Sequence, residues 1–184
     1  APNSVPETAQ VYYYVRHPER DQVVELFDRV VRAAEAAAMG TDTQVDVEVM
    51  HGNYPVLPNH TLARLVNDNL VAMGGISYTP EEQAFAETIR STLISPRREL
   101  GSEQRIAPYQ SRQSMGSTDV GDGSWLVPTV GFSTATWVPG TPAHGWQAVA
   151  AGGMGIGHKG MGLASRLLAT SAAQLILQPE VMAE

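Results

Sequence analysis

Residues 11–50 carry three successive periodicities, and this pattern constrains the fold more than any other feature of the chain. The aromatic and β-branched run of residues 11–15 is typical of a strand. Between Pro18 and Gly40, apolar residues recur at spacings of three and four, which predicts one amphipathic helix. In residues 44–50 valines alternate with acidic residues, which predicts a half-buried strand. Two strands and one helix bury too little surface to be stable alone, so we expect them to need partners.

The remainder of the chain predicts a second, larger part that begins after residue 54. Pro55 and Pro58 interrupt regular structure, and helices are expected from an Asn59 cap and from Pro80. Residues 94–113 lack periodicity and predict a long surface loop. Residues 127–132 predict a buried strand, limited to an end or an edge by its proline.

A stretch rich in small residues from position 146 to position 177 predicts a long helix. Its secure part is residues 163–177, because the glycines between positions 152 and 162 each weaken helix propensity by ~1 kcal/mol relative to alanine. We expect tertiary packing to compensate, with the small residues allowing close approach to a sheet.

Composition limits the partners of the chain. The formal net charge of −7 argues against nucleic acid, which prefers a basic face. No apolar run reaches the ~20 residues that a membrane-spanning helix needs, so no membrane partner is expected. The absence of cysteine excludes disulfides and thiolate ligands, and it predicts a cytoplasmic protein.

Generic catalytic and metal motifs are absent. The sequence contains no HExxH, no phosphate-binding loop and no GxSxG elbow, and its five histidines form no close pair. Position alone leaves His144 open to two interpretations: a loop histidine beside the next helix, or a ligand in a loop that follows a strand. His158 is likewise open to a pocket role or a surface role.

Three ordered stretches resemble the second half of the zinc-dependent aminoacylase, carboxypeptidase and desuccinylase family of metallohydrolases. They are residues 1–16, with Asn3 before Val5-Pro6 and Arg16 after a strand; Gly116-Ser117-Thr118-Asp119; and Pro142-Ala143-His144-Gly145-Trp146. The later residues 125–133 and 157–161 extend the likeness towards the aminobenzoyl-glutamate branch of that family.

The resemblance implies roles for individual residues. It makes His144 a ligand of one of two divalent metal ions, most naturally zinc, and makes Asn3 and Arg16 contacts of the substrate. An arginine fork suits a free carboxylate. It also makes Gly116, Ser117, Thr118 and Asp119 a turn that lines the substrate pocket. The family's other metal ligands and its general-base glutamate have no counterpart here. We therefore expect no catalytic residue and no bound metal on the chain alone. The resemblance predicts that the chain is a C-terminal fragment.

The fold class that follows is α/β. Residues 1–54 would form part of a ferredoxin-like lid and dimerisation domain, and residues 55–184 the closing part of a helix-flanked catalytic domain. The implied whole enzyme is a homodimeric amidohydrolase that uses a metal-activated water to cleave a small N-acyl amino acid. The more specific substrate that the resemblance implies is p-aminobenzoyl-glutamate. The alternative is a non-catalytic dimerisation or partner-binding module.

Overall fold

A computed structural model of the chain describes residues 3–111, 118–178 and 180, and within these ranges all extended regular structure is helical. The six α-helices are joined by extended segments, turns and a short 3₁₀ turn at Ser102–Gln104. In chain order they are α1 (Arg20–Gly40), α2 (His60–Met73), α3 (Pro80–Ser91), α4 (Val120–Ser124), α5 (Trp146–Gly152) and α6 (Gly155–Leu177).

The chain divides into two compact units. The first comprises the chain up to Leu57 and a later segment that ends at Pro128, and the second comprises Pro58–Ser111 and the chain from Thr129 onward. The domain division predicted from the sequence, 1–54 and 55–184, stays a prediction, because it refers to the functional domains of a larger enzyme.

Local signals at the starts of α2 and α3 are confirmed. Asn59 Oδ1 accepts a hydrogen bond from the Leu62 backbone N–H at 2.8 Å, which caps α2. Thr79 and Glu82 form a reciprocal capping box at the start of α3, with Pro80 in the first helical turn. Both caps satisfy backbone donors that the helix itself cannot pair.

The described residues of the second unit form two small apolar cores. The first is built around Ala86, Ile89, Val138, Ala151 and Ile156 from α3, α5, α6 and the segment before α5. The second joins α2 to α6 through Leu65, Val66 and Leu167, with Val130 and Phe132 packed against it. The prediction of a buried strand at 127–132 is therefore wrong: Val127 is 59% exposed, and Val130 and Phe132 pack against this core only as partly buried residues of an irregular segment.

The glycines near the start of α6 divide into close-packed and open positions. A side chain at Gly157 would collide with the Gly152 carbonyl oxygen, across the corner between α5 and α6. One at Gly160 would lie 2.5 Å from Ala135 O and 2.7 Å from Thr136 Cγ2. Gly153 has open space around it. Close approach is thus confirmed at two positions, but its partners are a helix corner and an extended segment, so the predicted sheet contact is wrong.

An ion pair ties α3 to α6. Lys159 Nζ donates to Glu82 Oε2 at 2.5 Å and to Ser77 O at 2.8 Å. Glu82 also accepts the Thr79 backbone N–H at 2.8 Å. The hydrogen bond from Lys159, followed by that from Thr79, lowers the pKa of the Glu82 carboxyl below its ordinary value of 4.5.

In the first unit, α1 has the predicted amphipathic pattern but little cover. The predicted stripe is half-buried and its opposite face is exposed; the stripe comprises Val23, Phe27, Val30, Val31, Ala34 and Ala38. No residue of α1 is fully buried. Residues 11–15 and 44–50 have no regular secondary structure and are largely exposed, with Val11 at 69% and Val49 at 65% of their full accessibility.

The predicted α/β class, with its ferredoxin-like lid and helix-flanked sheet, is therefore wrong. In residues 3–111 and 118–178 no segment pairs as a strand, including residues 11–15, 44–50 and 127–132. The physical reason is that β-propensity describes a side-chain fit to a pleated, half-buried surface, whereas a strand exists only when a second strand completes its hydrogen-bond ladder. The described part of the chain also has no helix with the length and apolarity to cross a membrane.

The packing of Gly160 gives a stability prediction. Gly160→Ala should lower the free energy of unfolding by about 1–3 kcal/mol, because the new methyl group collides with the residue 135–136 backbone and side chain. Gly162→Ala, two positions along the same helix, meets open space and should raise it by about 0.5–1 kcal/mol. Urea unfolding of both variants checks this, and equal effects would contradict the close approach.

The lowered pKa of Glu82 gives a pH prediction. A carboxyl whose pKa is lower in the folded chain stabilises the fold above the pKa of the unfolded chain, and that contribution is lost as the pH falls through the folded pKa. Glu82→Gln should cost about 1 kcal/mol at pH 7 and should flatten the fall of stability below about pH 4.5. Glu87→Gln, on the exposed face of α3, is the control, and thermal unfolding from pH 3 to 7 is the measurement. A parallel pH profile for Glu82→Gln and the unchanged chain would refute the role of the carboxylate.

Candidate active site

The predicted metal ligand His144 lies in an exposed turn of the second unit. It follows the extended segment that ends in the core at Val138 and comes two residues before α5 begins at Trp146. Gly145 N–H closes the turn on Pro142 O at 3.2 Å. Among the described residues the His144 imidazole makes no hydrogen bond, so both ring nitrogens are open to solvent or to a ligand.

A guanidinium holds the chain just before this turn. Arg90, at the end of α3, donates through one terminal nitrogen, Nη1, to Pro139 O at 3.1 Å and to Arg98 O at 2.5 Å. Hydrogen bonds from a charged donor are among the stronger ones in a protein. They join the loop after α3 to the segment that leads to His144.

Two further contacts brace the same region. Gly140 has φ of +91°, and a side chain there would lie 2.6 Å from Pro96 Cβ, so this position favours glycine on both conformational and steric grounds. On the other side of His144, the buried Gln147 donates from Nε2 to Thr92 Oγ1 at 3.2 Å. The turn is thus exposed at its tip and anchored at both ends.

The predicted substrate residues lie in the first unit. Asn3 and Arg16 are exposed, and the Arg16 guanidinium lies 4.7 Å from the centre of the Tyr14 ring. Thr118 and Asp119 are exposed at the start of α4, where Thr118 Oγ1 accepts the Val120 backbone N–H at 3.3 Å. Gly116 and Ser117 fall outside the described residues. The described contacts bring none of Asn3, Arg16 and Asp119 together, so their shared role stays a prediction.

A metal ion fits the described residues only in part. An exposed imidazole with no hydrogen bond to the described chain, such as that of His144, is a suitable zinc ligand, but a catalytic zinc needs three protein ligands. No group of three or more His, Asp or Glu side chains in the described part of the chain has the geometry to hold a metal. His144 thus fits as one donor of a site whose other donors these residues do not provide.

A shallow pocket lies elsewhere in the second unit and contains none of the predicted residues. It has a volume of about 300 Å³ and is lined by Gly75, Ile76, Ser77, Lys159, Gly162 and Arg166. Lys159 is already paired with Glu82, so its charge is largely compensated. We therefore place the candidate chemistry at the His144 turn and not in this pocket.

Sequence reasoning missed both the anchor at Arg90 and an aromatic pair in the first unit, Tyr54 and Trp125, whose rings lie 5.7 Å apart. Arg90 meets Pro139 across 49 residues, so no local pattern announces the contact. The sequence feature that could have suggested the Tyr54–Trp125 pair is that each large aromatic residue lies near turn-forming Pro or Gly residues.

Comparison with known proteins decides the family resemblance. The chain is 34% identical over 209 aligned residues to one subunit of p-aminobenzoyl-glutamate hydrolase from Escherichia coli (strain K12), across 100% of this chain and 44% of that protein. The chain is related to this hydrolase. The resemblance predicted from Asn3, Arg16, residues 116–119 and His144 is confirmed at this level.

A second relative is more distant. The chain is 28% identical over 130 residues to Xaa-Arg dipeptidase of Mus musculus, across 70% of this chain and 24% of that protein. The chain thus spans less than half the length of the curated relatives it matches. No family model and no solved structure matches it.

Proposed function

We propose that the chain is part of a metal-dependent amidohydrolase that cleaves the amide bond of an N-acyl amino acid, with an aminobenzoyl-glutamate-like compound as substrate. The observation that carries this proposal is the 34% identity, along the entire chain, to a p-aminobenzoyl-glutamate hydrolase. The similarity to a dipeptidase supports the same class of reaction, since both enzymes are named for the hydrolysis of an amide bond.

In this proposal His144 is a metal ligand. Its exposed imidazole projects from a turn that Arg90 and Gln147 anchor, which would hold a ligand in position at a small entropic cost. The bound metal, most naturally a pair of zinc ions, would supply an activated water and polarise the scissile carbonyl. The other ligands and the general base would come from a longer protein, and the chain alone would be inactive.

The substrate would be held by its anionic groups. Arg16 and Asn3 would bind its carboxylate or carbonyl oxygens, and the turn of Gly116, Ser117, Thr118 and Asp119 would line the pocket. Arg16 suits this role because its guanidinium is exposed and its contact in the described chain is the Tyr14 ring, which leaves its N–H donors available.

The whole enzyme would be a homodimer. The first unit supports this proposal because several of its apolar side chains are exposed, among them Val11, Tyr13 and Val49 at 65% or more. Several exposed apolar side chains in one unit favour association of that unit with a second copy of the chain.

The decisive test uses a longer protein that carries this chain together with the segments its relative has in addition. His144→Ala should remove metal and activity together while leaving the fold intact, because the imidazole is exposed and packs against no core. His158→Ala, which replaces another exposed histidine, is the matched control and should retain both. Arg16→Gln should mainly raise KM. Full metal content and activity in the His144→Ala protein would overturn the proposal.

Self-association is tested on the chain itself. Light scattering should show a mass that rises with concentration. Val49→Asp, which places a charge at the exposed region, should lower that mass, whereas Ile94→Asp, at an exposed residue of the other unit, should not. A strictly monomeric chain at high concentration would count against the dimer.

A further inference from the structure

Three side chains of the first unit form an exposed surface that the proposed roles above do not use. We call it the Tyr54–Trp125–Arg20 surface. The Tyr54 and Trp125 rings lie with their centres 5.7 Å apart and remain 47% and 53% exposed. The Arg20 guanidinium lies 5.4 Å from the centre of the Tyr54 ring. Arg20 Nη1 also lies 3.5 Å from the exposed carboxylate of Asp21, so the surface combines two aromatic rings with a guanidinium that is weakly paired and open to solvent.

The two rings are fixed although they are exposed. The Tyr54 backbone N–H donates to Asp122 Oδ1 at 2.8 Å, and the Leu57 N–H donates to Ser124 Oγ at 2.8 Å. The Trp125 indole N–H donates to Pro55 O at 2.9 Å. These bonds fasten the segment before Pro58 onto α4, so the rings do not depend on a ligand for their arrangement.

Gly121 shows how tight this attachment is. A side chain at Gly121 would collide with the Tyr54 carbonyl oxygen, so the segment lies directly on the backbone of α4. Rings held in place before binding lose little freedom when a ligand arrives, which is the condition under which aromatic residues contribute most to binding.

A second aromatic and arginine set in the same unit lacks these features. Tyr12 and Tyr14 have ring centres 5.2 Å apart, with Arg16 over Tyr14, but all three lie within one extended segment. In the described residues no hydrogen bond from a distant part of the chain fixes that segment. Aromatic residues beside an arginine are therefore not sufficient to make a preformed binding surface. The Tyr54–Trp125–Arg20 surface differs because hydrogen bonds from a distant part of the chain hold its rings in place.

We propose that the Tyr54–Trp125–Arg20 surface binds the aromatic acyl group of the substrate. The aryl ring stacks on the exposed indole of Trp125. Hydrolysis of an aroyl amide turns the acyl carbonyl into a carboxylate, and the Arg20 guanidinium suits the arylcarboxylate product that is released. This inference rests on the proposed amidohydrolase function and assigns the aromatic part of its substrate.

The test uses the chain itself with benzoate as the probe. The chain has three tryptophans, so an indole N–H spectrum contains three side-chain signals, which Trp→Phe variants assign. Benzoate should shift the Trp125 signal in a saturable manner and leave that of the more exposed Trp146 in place. Cyclohexanecarboxylate, which matches the charge and size of benzoate without an aromatic ring, should bind about tenfold more weakly.

Single substitutions measure the contribution of each side chain of the surface to probe binding. Arg20→Gln should weaken benzoate about tenfold and leave the uncharged probe benzamide unaffected. Trp125→Leu should abolish binding of both probes, measured by isothermal calorimetry, while Tyr14→Leu at the unbraced aromatic set should change neither. A backbone amide spectrum that is preserved outside residues 52–57 and 118–126 confirms that each variant is folded.

Two outcomes would overturn the inference: equal binding of benzoate and cyclohexanecarboxylate, or shifts of Trp146 as large as those of Trp125. Neither outcome bears on hydrolysis, because probe binding requires no metal. Conversely, the His144→Ala experiment in the longer protein reports on the proposed function without reference to Trp125. The failures of the two proposals are therefore distinguishable.

Discussion

The corner between α5 and α6 is the constraint on which the second unit depends. Ala151 and Ile156 flank the corner and are fully buried at 0% exposure. The contact of Gly157 with the Gly152 carbonyl sets how closely the two helices meet. Because Val138 packs in the same core, this corner also fixes the end of the segment that leads to the His144 turn. The exposed candidate ligand thus derives its position from side chains that never reach the solvent.

The helices were predictable because their determinants are local. Asn59, Thr79 and Pro80 act within one helical turn, and the apolar stripe of α1 is read directly from the spacing of its residues. The predicted strands did not form. Residues 11–15 and 44–50 have side chains that suit a strand, but the described chain offers them no partner strand. A pattern can specify which face of a segment is apolar, but it cannot supply the neighbour that pairs with it.

For the candidate site, only the family resemblance has been tested, and the roles of its residues stay predictions. The resemblance suggested His144 as a metal ligand and the residues that would bind substrate, and the comparisons confirm the resemblance itself. The anchor formed by Arg90 was not predictable, because an arginine near a helix end is an ordinary surface residue until Pro139 and Arg98 are brought to it by the fold. The same is true of Tyr54 and Trp125, which are joined only by tertiary hydrogen bonds.

The two kinds of contact around the His144 turn have different consequences for the order of folding. The contact of Gly157 with Gly152 closes a loop of only a few residues, so it forms early and at a low entropic cost. The Arg90 contact with Pro139 joins residues 49 positions apart and must wait until α3 and the later segment have met. The helical corner is therefore expected to assemble first, and the turn that carries the imidazole to acquire its fixed geometry among the last events of folding.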